Sequence, residues 1–103
     1  MITALVHFAV PEPISAETMA ELSEANAALY KGFDGLVRKY YVRSPEGTEV
    51  GGVYLWESKA AAEECYDDDW RERVTGAYGV EPVITWLETP VVVDNRHDEI
   101  VTG

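Results

Sequence analysis

The period of the hydrophobic positions changes repeatedly along the chain, and each change marks an element. From Ile2 to Val10 Ile2, Ala4, Val6, Phe8 and Val10 fall on one side and Thr3, Leu5, His7 and Ala9 on the other, and neither side is clearly polar. That pattern predicts a strand covered on both faces. Pro11-Glu12-Pro13 ends it, and Ser15 with Glu17 opens a helix carrying Met19, Leu22, Asn26 and Leu29 at three- and four-residue spacing. Gly32 is placed to stop that helix.

Two β-branched and aromatic runs follow, Leu36 to Arg43 and Val50 to Trp56, separated by Ser44-Pro45-Glu46-Gly47-Thr48. Pro and Gly supply the dihedrals of a tight connection, so this is a β-hairpin. Ser58 then caps a helix of strong helix formers from Lys59 to about Tyr66. Asp67-Asp68-Asp69 predicts a break and a restart at Trp70, because carboxylates favour helix N-termini. Gly76-Ala77-Tyr78-Gly79 closes that region, Val83 to Leu87 reads as a fourth strand, and Pro90 interrupts before Val91-Val92-Val93.

The order β-α-β-β-α-β predicts an α+β, ferredoxin-like fold: a four-stranded antiparallel sheet with its helices on one face. Residues 1–93 form that domain, and 94–103 are expected to be a polar, extended or disordered tail. Because Leu36, Val37, Tyr40, Tyr41, Val42, Val53, Tyr54, Leu55 and Trp56 populate both sides of the hairpin, the helix-free face would expose a large apolar patch. A second sheet packed against it makes a homodimer the expected assembly.

Composition narrows the partners. At 103 residues the chain holds one domain, and a net charge of -11 repels phosphate backbones, which argues against nucleic acid and anionic membrane surfaces. No apolar run approaches the roughly 20 residues of a bilayer span, Met1-Ile2-Thr3-Ala4 carries no basic leader, and the single cysteine, Cys65, permits no internal disulfide. The expectation is a cytoplasmic protein in which Cys65 packs rather than reacts.

The segments Gly32-Phe33-Asp34-Gly35, Gly51-Gly52-Val53-Tyr54-Leu55-Trp56 and Tyr78-Gly79-Val80-Glu81-Pro82, with the opening Val6-His7-Phe8-Ala9, resemble the dimeric α+β barrel superfamily. Within it they are most similar to the YdhR-like and antibiotic-biosynthesis monooxygenases. The resemblance implies the ferredoxin-like fold and a homodimer. It leaves the reaction open, since the superfamily also holds haem-degrading enzymes, isomerases, dismutases, dehydratases and cyclases. Haem-degrading relatives use Asn, Trp and His where this chain has His7, Cys65 and Thr75, so that triad is absent. Cofactor-free quinone-forming relatives bind a polycyclic phenol between sheet and helices, among Trp, Tyr, Asn and Arg side chains.

Candidate chemistry follows from the residues available. Gly51-Gly52 lies inside a strand rather than before a helix, so no nucleotide cofactor is expected. His7 and His97 are the only histidines and Asp67 to Asp69 lack calcium-loop spacing, so no metal site is expected either. A cofactor-free oxygenase needs a base and an anion stabiliser. His7 is the expected base, its imidazole poised near neutral pH. Arg38, in a strand among apolar residues, is the expected oxyanion partner, with pairing to Glu57 or Glu49 as its structural alternative. Asn26 would orient a carbonyl, while Tyr54, Trp56, Tyr66 and Trp70 would sandwich a flat ring. The reading is a cofactor-independent monooxygenase for a hydrophobic aromatic or polyketide-like small molecule. The alternatives are an isomerase, cyclase or dehydratase using the same pocket, in which proton transfer by His7 is the whole chemistry, and a non-catalytic small-molecule-binding dimer.

Overall fold

The computed structural model describes every residue from Met1 to Gly103. Its elements are β1 (Ile2–Ala9), α1 (Ala16–Ala27), β2 (Leu36–Arg43), β3 (Glu49–Trp56), α2 (Lys59–Cys65), α3 (Asp68–Tyr78), β4 (Val83–Glu88), β5 (Val91–Asp94) and β6 (Glu99–Thr102). The first four-stranded sheet has the order β2-β3-β1-β4, antiparallel throughout, which is the ferredoxin-like arrangement the pattern predicts.

Local chemistry sets the helix ends as expected. Ser15, Ser58 and Asp67 accept hydrogen bonds from the backbone N–H groups of Thr18, Ala61 and Trp70, each satisfying an otherwise orphaned donor. Asp67 therefore divides the second helical region into α2 and α3. Gly79 ends α3 with φ of 78°, a left-handed conformation that a Cβ would disfavour.

Register decides what each sheet face carries. Ala4, Val6 and Phe8 of β1 stand opposite Tyr54, Gly52 and Val50 of β3, and this face meets the helices. With Met19, Ala62, Cys65 and Trp70 from the helices, and with Trp56 and Tyr30, the side chains of Ala4, Val6, Phe8, Val50 and Tyr54 form one buried cluster. At about 25 cal/mol per Å² of apolar surface removed from water, such a cluster is the main source of stability. β1 and β3 approach closely at Gly51, where a Cβ would lie 1.9 Å from the Val6 carbonyl oxygen.

The edge strand β2 breaks its own alternation. Leu36 pairs with Trp56 and Arg38 with Leu55, so Val37 is an extra residue forming a β-bulge. Beyond it the parity is inverted: Arg38, Tyr40 and Val42 point away from the helices, while Lys39 and Tyr41 point toward them, opposite Tyr54 and Gly52.

The C-terminus departs from expectation. Instead of an extended or disordered tail, β5 and β6 pair as a second, two-stranded sheet, with Val91 opposite Thr102 and Asp94 opposite Glu99. β-Branched residues on both arms favour the strands, and Asp94 organises the turn by accepting from the N–H groups of Arg96 and His97 at 3.0 and 3.2 Å. No helix covers the other face of the main sheet, where Tyr40, Val42, Val83 and Leu87 are exposed. No helix is long and apolar enough to cross a membrane.

Candidate active site between sheet and helices

The helix-bearing face of the sheet, α1 with the turn after it, and α3 bound a cavity of about 200 Å³. Its floor is the inward face of β1, β2 and β3, including Val6, Phe8, Lys39, Tyr41 and Tyr54. α1 and the turn after it contribute Leu22, Asn26, Leu29 and Tyr30, and α3 contributes Trp70, Arg73, Val74 and Tyr78. Gly51 and Gly52 provide the space: a Cβ on Gly52 would come within 2.9 Å of the Tyr54 ring and 3.1 Å of Lys39 Cε.

Aromatic contacts fix these walls. Phe8 and Tyr78 have ring centroids 4.4 Å apart, Tyr66 and Trp70 4.5 Å, and Tyr30 meets Tyr54 edge-on at 5.8 Å. The Trp70 indole N–H donates to the Tyr30 hydroxyl at 3.1 Å, a buried bond joining α3 to the end of the first helical region. Tyr41 donates to the Asn26 carbonyl oxygen at 2.6 Å, leaving the amide NH2 of Asn26 as a donor. Burial raises the hydroxyl pKa of Tyr41, Tyr54 and Tyr78 above the ordinary tyrosine value, so these groups remain neutral at physiological pH.

The charge inside the cavity is opposite to that of the chain. Nineteen Asp and Glu residues outnumber eight Lys and Arg, yet no carboxylate lines the cavity, whereas Lys39 and Arg73 both do. Lys39 makes no salt bridge. Its Nζ lies 3.5, 3.9 and 4.5 Å from the ring centroids of Tyr30, Tyr41 and Tyr54. Burial pushes the Lys39 amine down to about 7.

Of the residues singled out from the sequence, Asn26, Tyr54 and Trp70 come together here. Trp56 and Tyr66 stand behind the wall: the fully buried Trp56 stacks on Tyr54 at 6.0 Å and donates its indole N–H to the Tyr66 hydroxyl at 3.1 Å. His7 and Arg38 do not reach the cavity. His7 lies on the helix-free face of β1, 3.6 Å from the Glu49 carboxylate and 42% exposed. Arg38 lies on that same face and pairs with Asp94, which also accepts from His97 at 2.8 Å, rather than with Glu57 or Glu49. The His97 and Arg38 hydrogen bonds hold the Asp94 carboxyl well below the usual carboxylate range.

The cause is the bulge. Counting alternately from the inward Leu36 puts Arg38 inside, but the extra Val37 sends it out and brings Lys39 in. Sequence reasoning missed Lys39, Arg73, Tyr30, Tyr41 and Tyr78. The available signal was Lys39 at two-residue spacing from Tyr41, legible only if the bulge is recognised.

Asp94, His97 and Glu99 are close enough to share a cation, but they sit on the C-terminal hairpin, where Asp94 is already engaged with Arg38. The cavity itself contains neither His nor carboxylate.

A family model described as "Putative mono-oxygenase ydhR" matches residues 4–85. No curated protein matches the chain. Among solved structures, the chain is similar to a monooxygenase from the gene ActVA-Orf6 of Streptomyces coelicolor in complex with nanaomycin D, at TM-score 0.65 and 21% identity over 85% of this chain and 86% of that one. It is also similar to Rv0793 from Mycobacterium tuberculosis, at TM-score 0.62 and 15% identity over 85% and 93%. A "putative antibiotic biosynthesis monooxygenase" from Deinococcus radiodurans matches at TM-score 0.61 and 13% identity over 91% and 97%. At these identities the likeness establishes the shared fold.

Proposed function

Because the chain belongs to the YdhR mono-oxygenase family, we propose that it oxygenates a small aromatic phenol or hydroquinone inside the cavity between sheet and helices, without flavin or metal. The observation that carries this reading is an aromatic-walled cavity of about 200 Å³ whose only charged lining groups are cations. An apolar cavity of about 150 Å³ holds a benzene ring, so this one suits one ring or two rather than a larger polycycle. The nanaomycin D complex of the Streptomyces coelicolor protein supports a small-molecule ligand on this fold.

The chemistry asks little of a cofactor. A phenol that loses its proton becomes electron-rich enough to pass one electron to dioxygen. The resulting radicals combine at a ring carbon, and the peroxide so formed eliminates water to leave a quinone. Phenol plus dioxygen gives quinone plus water, with one oxygen atom kept in the product. The protein contributes a mostly apolar pocket, aromatic walls that include Tyr54, Trp70 and Tyr78, and positive charge to face the anion. The Asn26 amide NH2 is a donor for the product carbonyl.

The exposed apolar face of the sheet supports a homodimer in which two such faces pack together. Tyr40 at 52%, Val83 at 54% and Leu87 at 48% exposure leave apolar side chains uncovered at both edges of that face, β2 and β4.

An oxygen electrode tests the function with a panel of one- and two-ring phenols and hydroquinones. The expected result is protein-dependent uptake of one dioxygen per quinone, without accumulating hydrogen peroxide. Product formed without oxygen uptake would replace the oxygenase with an isomerase or cyclase. Saturable binding with no product anywhere in the panel would leave a binding module.

A further inference from the structure

We propose that Lys39 is the proton acceptor of this cavity, taking the phenolic proton of the substrate and then holding the phenolate as its counter-ion. The inference rests on the reading of the cavity as a phenol site. It names the group that starts the reaction, a role the sequence assigned to His7. The step balances: the neutral amine and the phenol become an ammonium and a phenolate, and no other reactant is consumed.

Several features place Lys39 there. The Val37 bulge turns its side chain inward, where regular alternation would have sent it out. Gly52, across the strand pair, leaves the room its butyl chain occupies, since a Cβ would crowd Lys39 Cε at 3.1 Å. No carboxylate neutralises it, although the chain carries nineteen. A lysine evolved only for solubility would extend to water. This one packs its Nζ over the faces of Tyr30, Tyr41 and Tyr54 at 3.5 to 4.5 Å.

Those rings suit both protonation states. Burial disfavours the ammonium and brings the amine to about 7, so a neutral acceptor is present near neutral pH. Once protonated, the cation faces three negative ring faces in addition to the substrate anion. The other titratable groups around it are the Cys65 thiol of α2 and Arg73 of α3, whose positive charge adds to the lowering. The Cys65 thiol is itself pushed up to about 11 by burial and so stays uncharged.

The test uses 4-nitrophenol, whose phenolate absorbs in the visible and whose ionisation is read without any turnover. Bound to the full-length protein it is expected to ionise at a pH about one unit or more below its value in free solution, a tenfold shift in favour of the anion. Lys39→Met keeps the length and apolarity of the stem, and circular dichroism checks its fold. In this variant the shift is expected to vanish. Lys39→Arg retains the charge and is expected to keep the bound anion while losing the rise of kcat/KM through pH 7, because guanidinium accepts no proton.

Three results would overturn the inference: a bound nitrophenol that titrates as in free solution, an undiminished shift in Lys39→Met, or no spectral response of the wild-type protein at any pH. If nitrophenol ionises as expected but no phenol in the panel consumes oxygen, Lys39 stands as the phenol-ionising group and the oxygenase reading fails.

Discussion

Tyr30→Phe isolates the contact that closes the cavity. The Tyr30 hydroxyl accepts from the Trp70 indole N–H at 3.1 Å, with both residues buried, at 7% and 3% exposure. Removing the hydroxyl leaves that N–H without a partner and out of reach of water, which costs about 1 to 3 kcal/mol. A middle value of about 2 kcal/mol lowers Tm by roughly 8 to 16 °C in a domain of this size. The ring remains, so the face under Lys39 Nζ is kept. Thermal unfolding of Tyr30→Phe, Trp70→Phe and the double variant, at equal protein concentration, gives the coupling energy of the pair. A coupling of about 1 kcal/mol or more is expected, because the double variant no longer strands a donor. A coupling below about 0.3 kcal/mol, or a Tyr30→Phe protein as stable as the wild type, would refute the claim that this bond pins α3 over the cavity.

Other consequences are equally direct. Gly52→Ala puts a methyl 2.9 Å from the Tyr54 ring and 3.1 Å from Lys39 Cε, so steady-state kinetics should show kcat/KM down by about tenfold or more and stability down by about 1 kcal/mol. Asp94 has its folded pKa lowered, so the stability it contributes is full above its unfolded value of about 3.9 and fades as the pH falls below it. Amide exchange should accordingly show β5 and β6 losing protection below about pH 4, ahead of β1 and β3. Sedimentation at micromolar concentration should give a dimer, and Tyr40→Lys, which places a charge in the exposed apolar face, should shift it toward monomer.

Most of the fold was legible because its elements are punctuated by residues with one mechanical use. Ser15, Ser58 and Asp67 cap helices, and Pro45-Glu46-Gly47 makes the hairpin turn. The C-terminal hairpin was not legible, because its polar turn from Asn95 to Asp98 looks like a tail unless Asp94 is known to accept from Arg96 and His97. Of the residues expected at the site, Asn26, Tyr54 and Trp70 reached the cavity. His7 and Arg38 did not, for different reasons. β1 is apolar on both sides, so periodicity could not say which face meets the helices, and one unpaired residue at Val37 reversed the parity of β2. Lys39 went unnoticed because a lysine in a strand ordinarily faces water, and only the contacts with Tyr30, Tyr41 and Tyr54 show that it does not.

The most direct test is a parallel measurement of kcat/KM for oxygen uptake by the wild type, Lys39→Met and His7→Gln, using the best phenol from the panel. General acid–base groups contribute about 10²- to 10⁴-fold, so Lys39→Met should fall by about 100-fold or more, while His7→Gln, altered on the far face of the sheet, should stay within about twofold. The reverse pattern, with activity lost in His7→Gln and kept in Lys39→Met, would move the chemistry to the helix-free face and contradict the account.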